Sequence, residues 1–177
     1  MVNIVPFRGF RPSLELVKQI AAVPYDVVDN QEAKEMVKDN PYSFLHIEKS
    51  EIDVDVYEDP HDEKIYAKGV ENLHRFFQKG FLVQDKKPCF YIYAQQLGSH
   101  KQFGIVAGAS VLEYQKEIIK KHEKTRADKE LDRTKHVDAL NANTGPVFLT
   151  YKNTKLVDAI VAEICKANPL YDFTTED

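Results

Sequence analysis

The run from His122 to His136 constrains this 177-residue chain more than any other stretch. It reads His-Glu-Lys-Thr-Arg-Ala-Asp-Lys-Glu-Leu-Asp-Arg-Thr-Lys-His. Most of it is expected to be helical, with Thr125 as cap and Asp128 returning the bond in a T-x-x-D capping box. At about 100° per residue, Arg126, Lys129, Arg133 and His136 share one narrow stripe, which Val137 and Leu140 continue. A stripe that turns apolar at its C-terminal end belongs against the protein body. Its cationic half is then expected at a cleft edge, near a helix N-terminus whose free N–H groups and dipole favour anions. Two readings stand side by side: a site for phosphate or carboxylate, and a solvated helix held by ion pairs among Asp128, Lys129, Glu130, Asp132 and Arg133.

Charge narrows the classes of partner. The formal net charge is −4, which gives no global attraction to nucleic acid or an anionic membrane. Even Lys116–Asp138 is near balance, with eight Lys/Arg against six Asp/Glu, so a nucleic-acid partner is not expected. No apolar run approaches the ~20 residues of a membrane span, so no membrane partner is expected. Cys89 and Cys165 lack metal-type spacing and read as core thiols of a cytoplasmic protein.

Taken in order, Asn3–Phe10 reads as a strand interrupted at Pro6. Arg8 and Arg11 flank Gly9 and suit either an anion or surface acids. Ser13 is expected to cap a short helix to Ala22. Asp26 lies in a loop beside Tyr25, placed to reach a ligand or cap the next element. Asp29 or Asn30 caps a helix to about Lys38, stopped by Asn40-Pro41. Tyr42–Lys49 has strand-like alternation and carries His46. Asp59 and Pro60 start a helix from His61 to about Gln78, ended by Lys79-Gly80. His61 and His74 have no local partners that suggest chemistry. Cys89–Gln95 and Phe103–Leu112 form a hairpin across Gly98-Ser99. Tyr114–Lys121 leads helically into the charged run, and Asn141–Gly145 closes it. Pro146–Tyr151 has a buried-strand pattern. Asn153 or Thr154 starts a last helix with Leu156, Ile160, Val161 and Ile164 inward. Tyr171-Asp172-Phe173 opens a strand pattern where the sequence stops, which is the expectation for the N-terminal part of a longer protein. The whole is expected to be a single α/β unit over 1–177, of α/β or α+β class, with helices packed on a mixed sheet.

No Walker-type loop, dinucleotide glycine motif, zinc-protease motif or serine nucleophile elbow occurs. His122 and His136 with Glu123 or Asp132 have only generic spacing for a metal, and none is expected. What remains is charge-clamping chemistry. Arg126, Lys129 and Arg133 are the candidate ligands for phosphate oxygens. Glu123 or Asp132 is the candidate general base or Mg²⁺ ligand, and His122 and His136 are candidates to share a proton. That set suits phosphoryl transfer, with Arg8, Arg11, Asp26 and His46 expected to complete the cleft.

Pro6-Phe7-Arg8 with Arg11-Pro12, Pro24-Tyr25-Asp26-Val27-Val28, and Asn40 through His46 form one set of motifs. His122-Glu123-Lys124-Thr125 through Asp132-Arg133 and His136, and Pro146-Val147-Phe148 with Tyr151, complete it. Together they resemble the bacterial and archaeal domain-of-unknown-function family numbered 1015. The resemblance covers nearly the whole chain. Members of that family are usually longer and carry a later Asp-Gly-His-His-Arg motif, which this sequence does not reach. That motif looks like the phosphate-binding motif of the ParB/sulfiredoxin superfamily, in which free-serine kinases use it with an acidic base. The resemblance therefore implies ParB/sulfiredoxin-like elements and a nucleotide or phosphorylated small molecule as ligand, with Mg²⁺ as the candidate cofactor of a nucleotide. It also implies phosphoryl transfer to a small hydroxyl acceptor and a C-terminal part of the same protein as partner. A ParB-like nucleic-acid or nucleotide-switch module and a non-catalytic interaction domain are the alternatives.

Overall fold

A computed structural model describes residues 2–56, 59–122 and 124–175. The strands, in chain order, are β1 (Ile4–Val5), β2 (Phe10–Pro12), β3 (Leu82–Gln84), β4 (Tyr91–Leu97), β5 (His100–Val106) and β6 (Gly108–Ala109). The helices are α1 (Val17–Ile20), α2 (Asn30–Val37), α3 (Leu45–Glu48), α4 (Glu63–Gln78), α5 (Val111–Gln115), α6 (Ala127–Leu140) and α7 (Lys155–Ile164). A 3-10 turn covers Ser50–Asp53. The class is α+β. The strands do not assemble into one mixed sheet; they form separate two-stranded pairs, β1–β6, β2–β3 and β4–β5. The chain divides into two compact units. One comprises 1–10, 84–124 and 146–172, and the other 11–83, 125–145 and 173–177.

The second unit holds both apolar clusters. Ile20, Ile47, Leu73, Phe76, Leu82 and Leu140 form the larger one, and Ala33, Val37, Leu45 and Ile52 the smaller. The long helix α4 gives Leu73 and Phe76 to the larger cluster, and the charged helix α6 gives it Leu140. Asp62 caps it by accepting from the Lys64 N–H at 3.0 Å, three residues later than the expected cap at Asp59. Its buried face runs Ile65, Tyr66, Gly69, Asn72, Leu73 and Phe76, a helical stripe. Gly69 lets α6 and the 3-10 turn come close: a Cβ there would lie 3.2 Å from Ser50 Oγ and 3.3 Å from Leu140 Cδ1. Gly80, at φ +69°, ends the helix as expected. Asp29 makes a full capping box with Glu32 at the start of α2.

Tyr42–Lys49 is not a strand. The Asn40 side chain accepts from the Tyr42 N–H and Ser43 Oγ accepts from the Leu45 N–H, which turns the backbone into α3. Leu45, His46 and Ile47 are all buried, so burial on every side imitated alternation. Ser13 does not cap α1, which is only Val17–Ile20 with Leu16 as its cap. Thr125 does not cap α6 either. The cap position is Arg126, without a side-chain hydrogen bond, and Asp128 turns to Arg126 instead. Asn141, at φ 49°, closes α6. The lead-in helix is shorter than expected, since Glu117 takes φ 56° just after α5.

The first unit is built on hydrogen bonds more than on a core. β4 and β5 form the expected hairpin, from Tyr91↔Val106 to Leu97↔His100, around Gly98 at φ 58°. Ile4 and Val5 of β1 pair antiparallel with Ala109 and Gly108 of β6. Tyr91 Oη accepts from the Gly9 N–H at 2.9 Å and donates to Asp85 at 2.7 Å. The buried carboxylate of Glu113 accepts from the Asn3 N–H and Nδ2. Pro146–Tyr151 forms no strand and 171–173 none, and Val147 and Phe148 are exposed. Thr154 does cap α7, but no residue of that helix is buried, so its apolar stripe is not inward. Cys165, after α7, is exposed rather than a core thiol.

Candidate functional site

Where α3 and α4 meet α6, polar side chains of the second unit converge. Arg133 is at the centre. Its Nε and Nη2 donate to Asp132 Oδ2 at 3.1 and 2.9 Å, and its Nη1 donates to Glu48 Oε2 at 3.4 Å. Its Cζ lies 4.1 Å from the centroid of the Tyr25 ring, a cation–π stack. The other oxygen of Asp132 accepts from the Tyr66 hydroxyl at 2.9 Å, and His61 Nδ1 stands 3.3 Å from Tyr66 Oη and 3.6 Å from Asp132 Oδ1. The Arg133 side chain is still 30% exposed. All three guanidinium nitrogens are engaged, yet not all of their N–H bonds are used.

The electrostatics follow from these contacts. Burial pushes the Asp132 carboxyl up, but the hydrogen bonds from Arg133 and Tyr66 and the Arg133 charge outweigh it, and the net shift is downward. Burial and the bond to Asp132 hold the proton on Tyr66, raising it above an ordinary phenol. Burial also raises Tyr25, against the pull of Arg133. At neutral pH the cluster therefore presents an ionised Asp132, a fixed guanidinium and two protonated phenols.

A second network lies on the other side of α3. His46 Nδ1 is 2.9 Å from Asp53 Oδ2 and its Nε2 is 3.1 Å from the Asn40 carbonyl. Both partners are acceptors, so a ring nitrogen that bonds either one does so as a donor. Asn72 Nδ2 completes the network, donating to the His46 carbonyl at 2.7 Å and to Asp53 at 2.8 Å. Burial raises Asp53, and the bonds from His46 and Asn72 and the His46 charge bring it below the usual carboxylate range.

The residues expected from sequence are placed as follows. Asp132 and Arg133 are in the central cluster. Lys129 is exposed one turn earlier on the same helix. Arg126 is exposed and forms a bidentate pair with Asp128 at 3.1 and 2.8 Å. His136 is 2% exposed, and its Nε2 donates to the Ile47 carbonyl at 3.0 Å. Asp26 is exposed beside Tyr25, and Arg11 is half-buried in β2. Arg8 belongs to the first unit, where Nε donates to the Asp85 carbonyl at 2.9 Å and Nη2 to Gln84 at 3.1 Å. His122 is an exposed residue of that unit. Glu123 lies outside the described residues. Sequence reasoning passed over Glu48, His61 and Tyr66. Tyr66 looked like one more apolar position of α4, and Glu48 was hidden by the strand reading of its segment. His61 meets its partners only across the fold. Among the described residues, no group of three or more His, Cys, Asp or Glu is placed to hold a metal ion.

The family model described as "Protein of unknown function (DUF1015)" matches residues 4–177. No curated protein and no solved structure matches the chain.

Proposed function

The chain belongs to the DUF1015 family, and we propose that it binds a nucleotide or phosphorylated small molecule at Arg133 and passes the phosphoryl group to a small hydroxyl acceptor. The observation that carries this reading is the guanidinium of Arg133. It is fixed from three directions by Tyr25, Asp132 and Glu48, partly open to solvent, and keeps N–H bonds for an outside anion. A pre-set arginine of this kind binds phosphate oxygens with little loss of side-chain freedom. Lys129 adds charge from the rim. Asp132, held ionised, fits orienting an acceptor better than taking its proton, because a carboxylate with a lowered pKa is a weak base. Mg²⁺ would enter on the phosphates of a nucleotide and need only one or two carboxylates from the protein. The test has two arms. Calorimetry with ATP is expected to show binding that weakens several-fold in Lys129→Ala. Incubation with ATP, Mg²⁺ and a panel of small alcohols is expected to yield a phosphorylated acceptor, and no product across the panel would overturn the transfer step.

One observation favours a second reading, a non-catalytic interaction domain. Many apolar side chains of the first unit are open to solvent, with Val147 82% and Leu156 72% exposed, more than a lone scatter of surface apolar residues requires. On that reading the Arg133 cluster is a structural ion-pair network, and its variants lose stability without changing any ligand response.

A further inference from the structure

The geometry points to a ligand with two ends: beside its phosphate it carries a hydrogen-bond donor, an ammonium or a hydroxyl, received by Glu48. This rests on the Arg133 reading above and specifies the class of molecule bound there. Glu48 Oε1 is buried and meets no hydrogen-bond donor, while its sister Oε2 holds Arg133 Nη1. The side chain is only 11% exposed. A buried carboxylate oxygen left without a donor is costly. Charge points the same way. Glu48 and Asp132 are two carboxylates paired with the one guanidinium of Arg133, a local surplus of negative charge at that side chain. A bare phosphate would meet that surplus unfavourably. A molecule whose donor engages Glu48 satisfies the orphan oxygen, and an ammonium also offsets the surplus, which leaves Arg133 free to take the phosphate.

The test uses the 177-residue chain and three probes of one skeleton: ethyl phosphate, 2-hydroxyethyl phosphate and phosphoethanolamine. All carry the phosphate; the first lacks a donor at the far end, the second offers a hydroxyl and the third an ammonium. Calorimetry is expected to find phosphoethanolamine at least about tenfold tighter than ethyl phosphate, as one charge-assisted hydrogen bond implies, with 2-hydroxyethyl phosphate between them. Glu48→Gln, checked for an unchanged circular dichroism spectrum, is expected to shrink the ratio of phosphoethanolamine to ethyl phosphate affinity several-fold, and an unchanged ratio would overturn the role given to Glu48. Equal affinities for all three probes in the parent would overturn the two-ended ligand and leave phosphate binding standing. Absence of binding by all three would overturn both.

Discussion

At the scale of single residues, the account turns on which charges are already spoken for. Arg126 has Asp128, and Arg133 has Asp132 and Glu48, so sequence spacing brought these cations to one stripe without making them one clamp. The stripe was legible because helical periodicity needs only the sequence. The partners were not, because Glu48 and Tyr66 arrive from other elements. The lowered pKa values of Asp53 and Asp132 give a signed prediction. A carboxyl whose folded pKa lies below its ordinary value of 3.8 stabilises the fold fully above that value, and the contribution is lost as pH falls through the folded pKa. The melting temperature of the parent is thus expected to fall between about pH 5 and pH 2, and to fall less steeply in Asp53→Asn, although that variant starts lower at neutral pH. Equal slopes in parent and variant would contradict the assignment. His136 gives another prediction. With 2% exposure and a bond to the Ile47 carbonyl, it works as a packing and hydrogen-bonding residue in the core. His136→Ala should cost about 2–4 kcal/mol in urea unfolding, from the lost volume and the stranded carbonyl.

At the scale of elements, the site depends on how closely α4 approaches α6. Gly69 permits that approach against a Ser50 side chain tied to the Ile65 carbonyl at 2.7 Å. Gly69→Ala gains helix propensity but overpacks a contact that is already tight, so a net loss of about 1 kcal/mol is expected in urea unfolding. A stabilised variant would show that Leu140 and Ser50 yield freely. The legible elements were those whose signals are local. Asp29 with Glu32, Gly80 and Asn141 are punctuation that acts within one turn. So is the Gly98 hairpin. The elements misread were those decided by distant contacts. Leu45-His46-Ile47 is buried on every side, which erases the helical period, and Pro146–Tyr151 has strand composition but takes no strand conformation. Thr125 fails as a cap for a different reason, since the helix starts two residues beyond it at Ala127 and Asp128 pairs with Arg126.

At the scale of the molecule, the α+β class and the family could be read from the sequence, whereas the division into two compact units could not. Interleaved segments of chain build each unit, and no composition shift marks their borders. A formal charge of −4 also has a consequence for the whole chain. Phosphate ligands must be drawn by local geometry and not by a general field, so their affinity should depend on Arg133 far more than on distant lysines. The most direct measurement is a thermal melt of the 177-residue chain with inorganic phosphate, pyrophosphate and ATP, each with and without Mg²⁺, repeated on Arg133→Lys. A ligand that binds only the folded state raises the melting temperature, by an amount equivalent to about 2.7 kcal/mol at a hundred times Kd. Lysine keeps the charge but loses the planar fork, so the account predicts a rise for the parent that largely disappears in the variant. No rise with any of these ligands, or the same rise in both proteins, would contradict it.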